Sequence, residues 1–431
     1  QEQGMIPNKV TFVSTCDACA IDLSLSEGKQ LHTRILVTRL EPDVVLATAF
    51  INMYGRCGCL DDAKLIFDLI PKKDVVSWTA LVTGYAQHGY CQQALNDIER
   101  MQVEGMNPDA VTFVCCIKSC TNLGNIVQGL ELHAEIARKG LERDLLLASM
   151  LVDMYAKCGL LFEAEEVFNK LPVRGIIAWN VLISAYVEHK YNEKAITYFD
   201  KMQLEGILPN AAIYVSILKA CSYLGALDKG QELHNDIRAR GSLETDLFIK
   251  YSLIDMFAKT GFIVKARELF DELPVRELAS WNALLAGYAQ HGVAAKVFHV
   301  FDEMNSEGIR PSLVTFVSLL NACNHAGMLF KGKMYFEAMF MEYGIVPSLE
   351  HYTCIVNLFC RAGQLHEAIG MIKRMPMYPD HVFWRAFLGA CQNWGNMELG
   401  RIAFDHLIEF NEADSVSYIY MSNICADAEM L

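Results

Sequence analysis

No run of eighteen apolar residues occurs in this 431-residue chain, so nothing in it is built to span a membrane as a helix. Positive charge is short as well. Thirty-seven lysines and arginines face 51 acids, giving a formal net charge of −14 and a pI near 5.4, which is not the electrostatic footprint of a typical nucleic-acid binder. A disulfide framework is also lacking. The 15 cysteines are an odd count, and Cys19, Cys120, Cys221 and Cys323 recur 101, 101 and 102 residues apart. Thiols held in phase are core filler in a reducing compartment. Tryptophan is scarce at five residues, and three of them also keep the phase.

Those three open the segments WTALVTGYAQHG (from Trp78), WNVLISAYVEHK (from Trp179) and WNALLAGYAQHG (from Trp281). Helix-stop signals recur along the chain: GMIPN, GMNPD, GILPN, GIRPS and GIVPS. Each interval holds two amphipathic patterns. From Val75 to Asp109, Trp78, Leu81, Val82 and Tyr85 share one helical face, Gly89 ends that helix, and Ala94, Leu95, Ile98 and Met101 form the face of a second. The unit is a helical hairpin. Its boundaries fall at 9–43, 44–74, 75–109, 110–144, 145–175, 176–210, 211–246, 247–277, 278–312, 313–348 and 349–380. One such hairpin cannot bury its apolar face, whereas eleven stacked ones can, which predicts an all-α, right-handed α-solenoid superhelix of about eleven helix-turn-helix repeats. Ala63, Ala94, Ala164, Ala195, Ala266 and Ala368 take equivalent places in second helices, where a small side chain permits close approach.

Trp78, Leu81, Tyr85, Ala94 and Pro108 fit the tetratricopeptide pattern, whose arrays bind proteins, but that family keeps one unit length. Units of 35, 35 and 31 residues in rotation, with YAKCG, HAEIARKG and MQxEG, resemble instead the pentatricopeptide repeat family and its plant-type subclass of long, short and standard units. The resemblance covers residues 9–380. Residues 1–8 look like the tail of a preceding repeat, and 381–431, with PDHVFWRAFLGACQNWGNMELG and YIYMSNICADAE, resemble an incomplete copy of the extension found in organelle RNA-editing factors.

The resemblance implies that each repeat meets one base of single-stranded RNA through the fifth residue of its first helix and the last residue of the repeat. Thr48 with Asp74, Thr79 with Asp109, and Thr353 with Asp380 match the family's guanine-preferring pair; Asn180 with Asn210 and Asn282 with Ser312 match pyrimidine-preferring ones. Val13, Val114, Val215 and Val317 occupy the fifth place in long units and have no polar group to offer, so those units are spacers. Ser149 with Gly175 and Tyr251 with Glu277 depart from the pattern. The implied target, 5′ to 3′, is N-G-G-N-N-Y-N-N-Y-N-G, with an edited cytidine four bases after the last G.

Two further sets of positions suit the same task. The second residue of most repeats is apolar (Val45, Val76, Val111, Leu146, Ile177 and Phe248), suited either to wedging between bases or simply to packing. Each short unit carries a cation at its thirteenth place: Arg56, Lys157, Lys259 and Arg361. These serve phosphate, or favour the negative end of the helix dipole. With so acidic a chain, phosphate binding requires cations and acids to segregate onto different faces.

Enzyme-like fragments dissolve into the period. GMLFKGK (Gly327–Lys333) has phosphate-loop spacing, but Met334 stands where a magnesium-binding hydroxyl is needed. HAE (His133–Glu135) and CDAC (Cys16–Cys19) are deaminase-like fragments in inverted order, and His32, His133 and His234 recur in phase. No catalytic residue, metal site, cofactor or small-molecule substrate is expected. The expected partners are single-stranded organellar RNA, in mitochondrion or chloroplast, and a cytidine deaminase supplied in trans. Transcript stabilisation or processing without editing is the alternative.

Overall fold

The computed structural model describes residues 9–37, 43–241, 243–410 and 415–429. The 1–8 segment therefore lies outside the described residues. Those described form 25 α-helices and one short 3₁₀ helix, Leu141–Arg143, with no strand among them. The chain is all-α. Twenty-two of the helices pair into eleven successive hairpins, beginning with Lys9–Ile21 and Leu25–Val37 and ending with Leu349–Arg361 and Leu365–Arg374. Helices His381–Asn393, Met397–Phe410 and Ser415–Glu429 follow. None of the described helices is long and apolar enough to cross a membrane.

The helices fall into two compact units, the first ending at Ile213 and the second beginning at Tyr214. In the first unit, the first helix of each hairpin packs on the first helix of the next, as Val44–Arg56 does on Val75–Gln87. Trp78 and Trp179 are fully buried, each meeting edge-to-face a phenylalanine from the preceding short repeat: Phe67 at 4.5 Å and Phe168 at 4.7 Å between ring centroids. Such a pair contributes roughly 0.5–1.5 kcal/mol beyond burial, so the recurring tryptophan is the bolt between repeats. Ala63, Ala94, Ala164 and Ala195 are buried as the pattern required. Gly89 ends its helix at φ 79°, and Lys190 holds the same left-handed conformation at φ 65° without the freedom of glycine.

In the second unit Trp281 meets Phe270 at 4.6 Å in the same geometry, and Ala266 and Ala368 are buried. Helix Leu278–Gln290 lies so close to helix Leu247–Lys259 that a Cβ on Gly287 would fall 2.3 Å from the Ala258 Cβ. Cys323 is buried, its thiol pushed up to about 11, mainly by burial; Cys120 in the first unit is likewise buried and pushed up to about 12. Such thiols pack and do not react, and the described residues hold no metal-binding cluster.

The in-phase histidines are part of this scaffold. His133 Nδ1 lies 2.6 Å from the Tyr155 hydroxyl and His32 Nδ1 lies 3.0 Å from that of Tyr54. His351, fully buried, accepts at Nδ1 from the Ser348 backbone N–H at 3.2 Å and donates from Nε2 to the Leu313 carbonyl at 2.9 Å, which requires a neutral ring. Burial is the main cause holding His32, His133, His234 and His351 below the ordinary imidazole value. The unfolded chain therefore takes up protons first as pH falls. Their contribution is complete above about pH 6.5 and is lost below it. Thermal unfolding midpoints should fall between pH 7 and pH 5, and His351→Gln should flatten part of that slope; an unchanged midpoint would contradict the assignment.

Candidate nucleic-acid interface

The last residue of a hairpin becomes the N-cap of the next hairpin's first helix. Asp74 accepts from the Ser77 backbone N–H at 2.8 Å, Asp109 from that of Thr112 at 2.8 Å and Asp380 from that of Phe383 at 2.8 Å. Because successive first helices lie side by side, this cap falls beside the fifth residue of the preceding first helix. Two residues 30 apart in sequence thereby meet. Thr79 Oγ1 is 3.4 Å from Asp109 Oδ1, and Asn282 Nδ2 donates to Ser312 Oγ at 3.2 Å. At Tyr251, burial and then the Glu277 carboxylate push the phenol up, and its buried hydroxyl meets no hydrogen-bond partner among the described residues. Asn210 accepts from the Ile213 backbone N–H at 3.0 Å, while buried Asn180 Oδ1 meets no donor among the described residues. Thr48, Ser149 and Thr353 donate to carbonyls one turn back, at 2.7, 2.6 and 2.8 Å, and Ser149 is buried. Gly175 caps without a side chain, and Val13, Val114, Val215 and Val317 are half-buried.

A groove of about 480 Å³ in the first unit collects Val13, Val45, Thr48, Val76, Thr79, Asp109 and Val111 on one surface. The second-position apolar residues do not pack inward. Val45 is 53% exposed, Val76 62%, Val111 54%, Leu146 52%, Ile177 57% and Phe248 74%. In each unit, therefore, exposed apolar side chains stand one helical turn or less from the polar pairs' first-helix residues.

The thirteenth-position cations are less available. Lys157 pairs with Asp153 at 3.0 Å and Lys259 with Asp255 at 2.8 Å, each one helical turn back, so acids share that face with the cations. Arg361 donates to the Asn324 carbonyl at 2.7 Å. Arg56 is exposed and forms no ion pair among the described residues. The phosphate-loop lookalike is spoken for: Lys331 lies 3.7 Å over the Phe298 ring and Lys333 4.6 Å over that of Phe359.

Models described as "PPR repeat family" match residues 73–122, 174–223 and 276–325, and models described as "PPR repeat" match 45–75, 148–176, 251–278, 314–342 and 343–376. A pentatricopeptide repeat-containing protein of Arabidopsis thaliana is 37% identical over 426 residues, covering 98% of this chain and 76% of its own length. The chain is a pentatricopeptide repeat protein. A mitochondrial pentatricopeptide repeat-containing protein of the same species is 34% identical, with 99% of this chain and 68% of its own length covered. In another the chain spans only 51% of the length. Among solved structures, the pentatricopeptide repeat protein PPR10 from maize aligns over 99% of this chain and 72% of its own, at 18% identity and a TM-score of 0.62. The structure of PPR10 in complex with an 18-nt psaJ RNA element aligns over 99% and 67%, at 17% identity and a TM-score of 0.71. The hairpin-repeat fold is shared.

Within the pentatricopeptide repeats the structure adds residues that the sequence reading passed over. Thr112 and Thr315, third in the following repeat, hold the fifth residue in place. The Thr112 hydroxyl is 2.7 Å from Thr79 Oγ1, and Thr315 donates to Asn282 Oδ1 at 2.7 Å. With one lone pair of that oxygen taken by Thr315 and one N–H on Ser312, Asn282 keeps one N–H and one lone pair to offer. Ser or Thr at the third place was visible as a capping-box pattern, but its bond back to the previous repeat was not.

Proposed function

We propose that this protein binds single-stranded RNA base by base, in sequence-specific fashion, and recognises organellar sites of C-to-U editing with a deaminase supplied in trans. It belongs on this reading to the subclass with long, short and standard units, and residues 381–431 to its editing-type extension. The observation that carries the RNA reading is the pairing of Thr79 with Asp109 beside exposed aliphatics in one groove of the first unit, a pairing that Asn282 and Ser312 repeat in the second. Support also comes from the RNA-bound state of a protein with the same fold. A free carboxylate oxygen on Asp109 suits the N–H donors of a guanine edge, and the remaining N–H of Asn282 suits a pyrimidine carbonyl oxygen. The mitochondrial relatives favour an organellar site of action.

Selection from a random single-stranded RNA pool tests this directly. Enrichment should return adjacent guanines at the positions assigned to Thr48–Asp74 and Thr79–Asp109, with log affinity falling by roughly 0.7 per phosphate contact against log salt. Arg56→Ala should lower that slope by about one contact. A pool that emerges unenriched would sink RNA reading. Enrichment without loss of any editing event on knockout would favour the stabilisation role.

A further inference from the structure

Beyond the last assigned pair, Thr353–Asp380, the second unit continues in the three helices that follow. There a cavity of about 830 Å³ is lined by Arg361, Val382, Arg385, Trp394, Tyr420 and side-chain amides including Asn324. Among the described residues no carboxylate lines it, in a chain whose net charge is −14. Arg385 is the fifth residue of helix His381–Asn393, and Val382, 57% exposed, is the second. They stand where a repeat carries its reading and wedging residues. Asn324 Oδ1 is buried without a hydrogen-bond partner, an acceptor awaiting a donor.

Trp394 distinguishes this end. At the corresponding place His189 approaches the Ala156 carbonyl through Nε2 at 2.8 Å. Trp394 makes the same contact, donating from Nε1 to the Cys360 carbonyl at 2.8 Å, with its ring edge against Gly363. The exchange of imidazole for indole leaves a ring 55% exposed and anchored at one edge. The Tyr420 ring lies over Gly389 at the far side.

We infer that this cavity holds RNA nucleotides immediately 3′ of the last base read, with Trp394 as a stacking platform for a base and Arg361 and Arg385 as donors to the backbone phosphates. The inference rests on the RNA reading proposed above and extends it. Aromatic stacking is tolerant of base identity, so the pocket grips the spacer without reading it. It thereby holds the strand that leads to the base being edited.

The test compares the oligonucleotide ending at the last G with the same one lengthened by three 3′ nucleotides. Binding of the longer one should be about tenfold tighter, the scale of one stacked base. It should also quench intrinsic fluorescence, because Trp78, Trp179, Trp281 and Trp384 are no more than 4% exposed and Trp394 alone is open. Arg385→Gln and Trp394→His should each lose most of that gain while keeping affinity for the short oligonucleotide, which certifies their fold. An extension that adds nothing, or a gain that survives in both variants, overturns the pocket alone and leaves it to a protein partner. Failure of the short oligonucleotide to bind overturns the RNA reading and the pocket with it.

Discussion

Replacing Thr79 and Asp109 together by asparagine is expected to turn a guanine preference at one RNA position into a pyrimidine preference, by roughly ten- to hundredfold in relative affinity. The double variant reproduces a pair this chain carries at the equivalent positions, Asn180 with Asn210. Asp109 has two jobs in the structure. Its Oδ1 caps a helix, accepting from the Thr112 backbone N–H and hydroxyl at 2.8 and 2.7 Å, and the residue also lines the groove. Asparagine caps about as well as aspartate, so stability should hold while the donor and acceptor pattern facing RNA changes. Asp109→Ala would confuse the two by removing a cap worth about 1 kcal/mol. Binding to four oligonucleotides differing at that base, beside a urea melt, separates the effects. An unchanged base ranking at unchanged stability would show that Asp109 is only a cap.

Gly287→Ala is expected to destabilise the second unit, although alanine is the better helix former by about 1 kcal/mol. The new Cβ would fall 2.3 Å from the Ala258 Cβ and 3.0 Å from its Cα, so relief requires moving a helix backbone and not a side-chain tip. Overpacking of that kind costs about 1–3 kcal/mol, which exceeds the propensity gain over most of that range. Gly370, inside helix Leu365–Arg374, is the control, because a Cβ there meets nothing within 4 Å. Gly370→Ala should therefore raise stability by up to about 1 kcal/mol. Opposite shifts of the urea midpoint for one chemical change would show that helix proximity decides the sign; equal shifts would refute it.

Both expectations rest on contacts of unequal visibility. The Trp281 rhyme and the alanines at Ala94 and Ala266 announced a repeated hairpin, because packing that repeats must be spelled repeatedly. That the second residues point outward was not decidable, since an aliphatic at a helix start serves core or surface equally well until its neighbour is in place. Val76 at 62% exposure settles it for that position. In the sequence the cations at Lys157 and Lys259 show only as charges at a fixed place, and their pairing with carboxylates one turn back is set by the rotamers on the helix.

By itself the amino-acid sequence determined the helical class, the hairpin period and the burial of the recurring tryptophans and alanines, because helix periodicity, glycine stops and side-chain size act over one or two turns. Tertiary structure alone decided what each polar group faces. Thr79 meets Asp109 and Thr112, and Trp394 takes a histidine's place beside Cys360, only because neighbouring helices lie side by side at a set distance. Hydrogen bonds are short and directional, so that distance, which no single repeat encodes, chooses their partners.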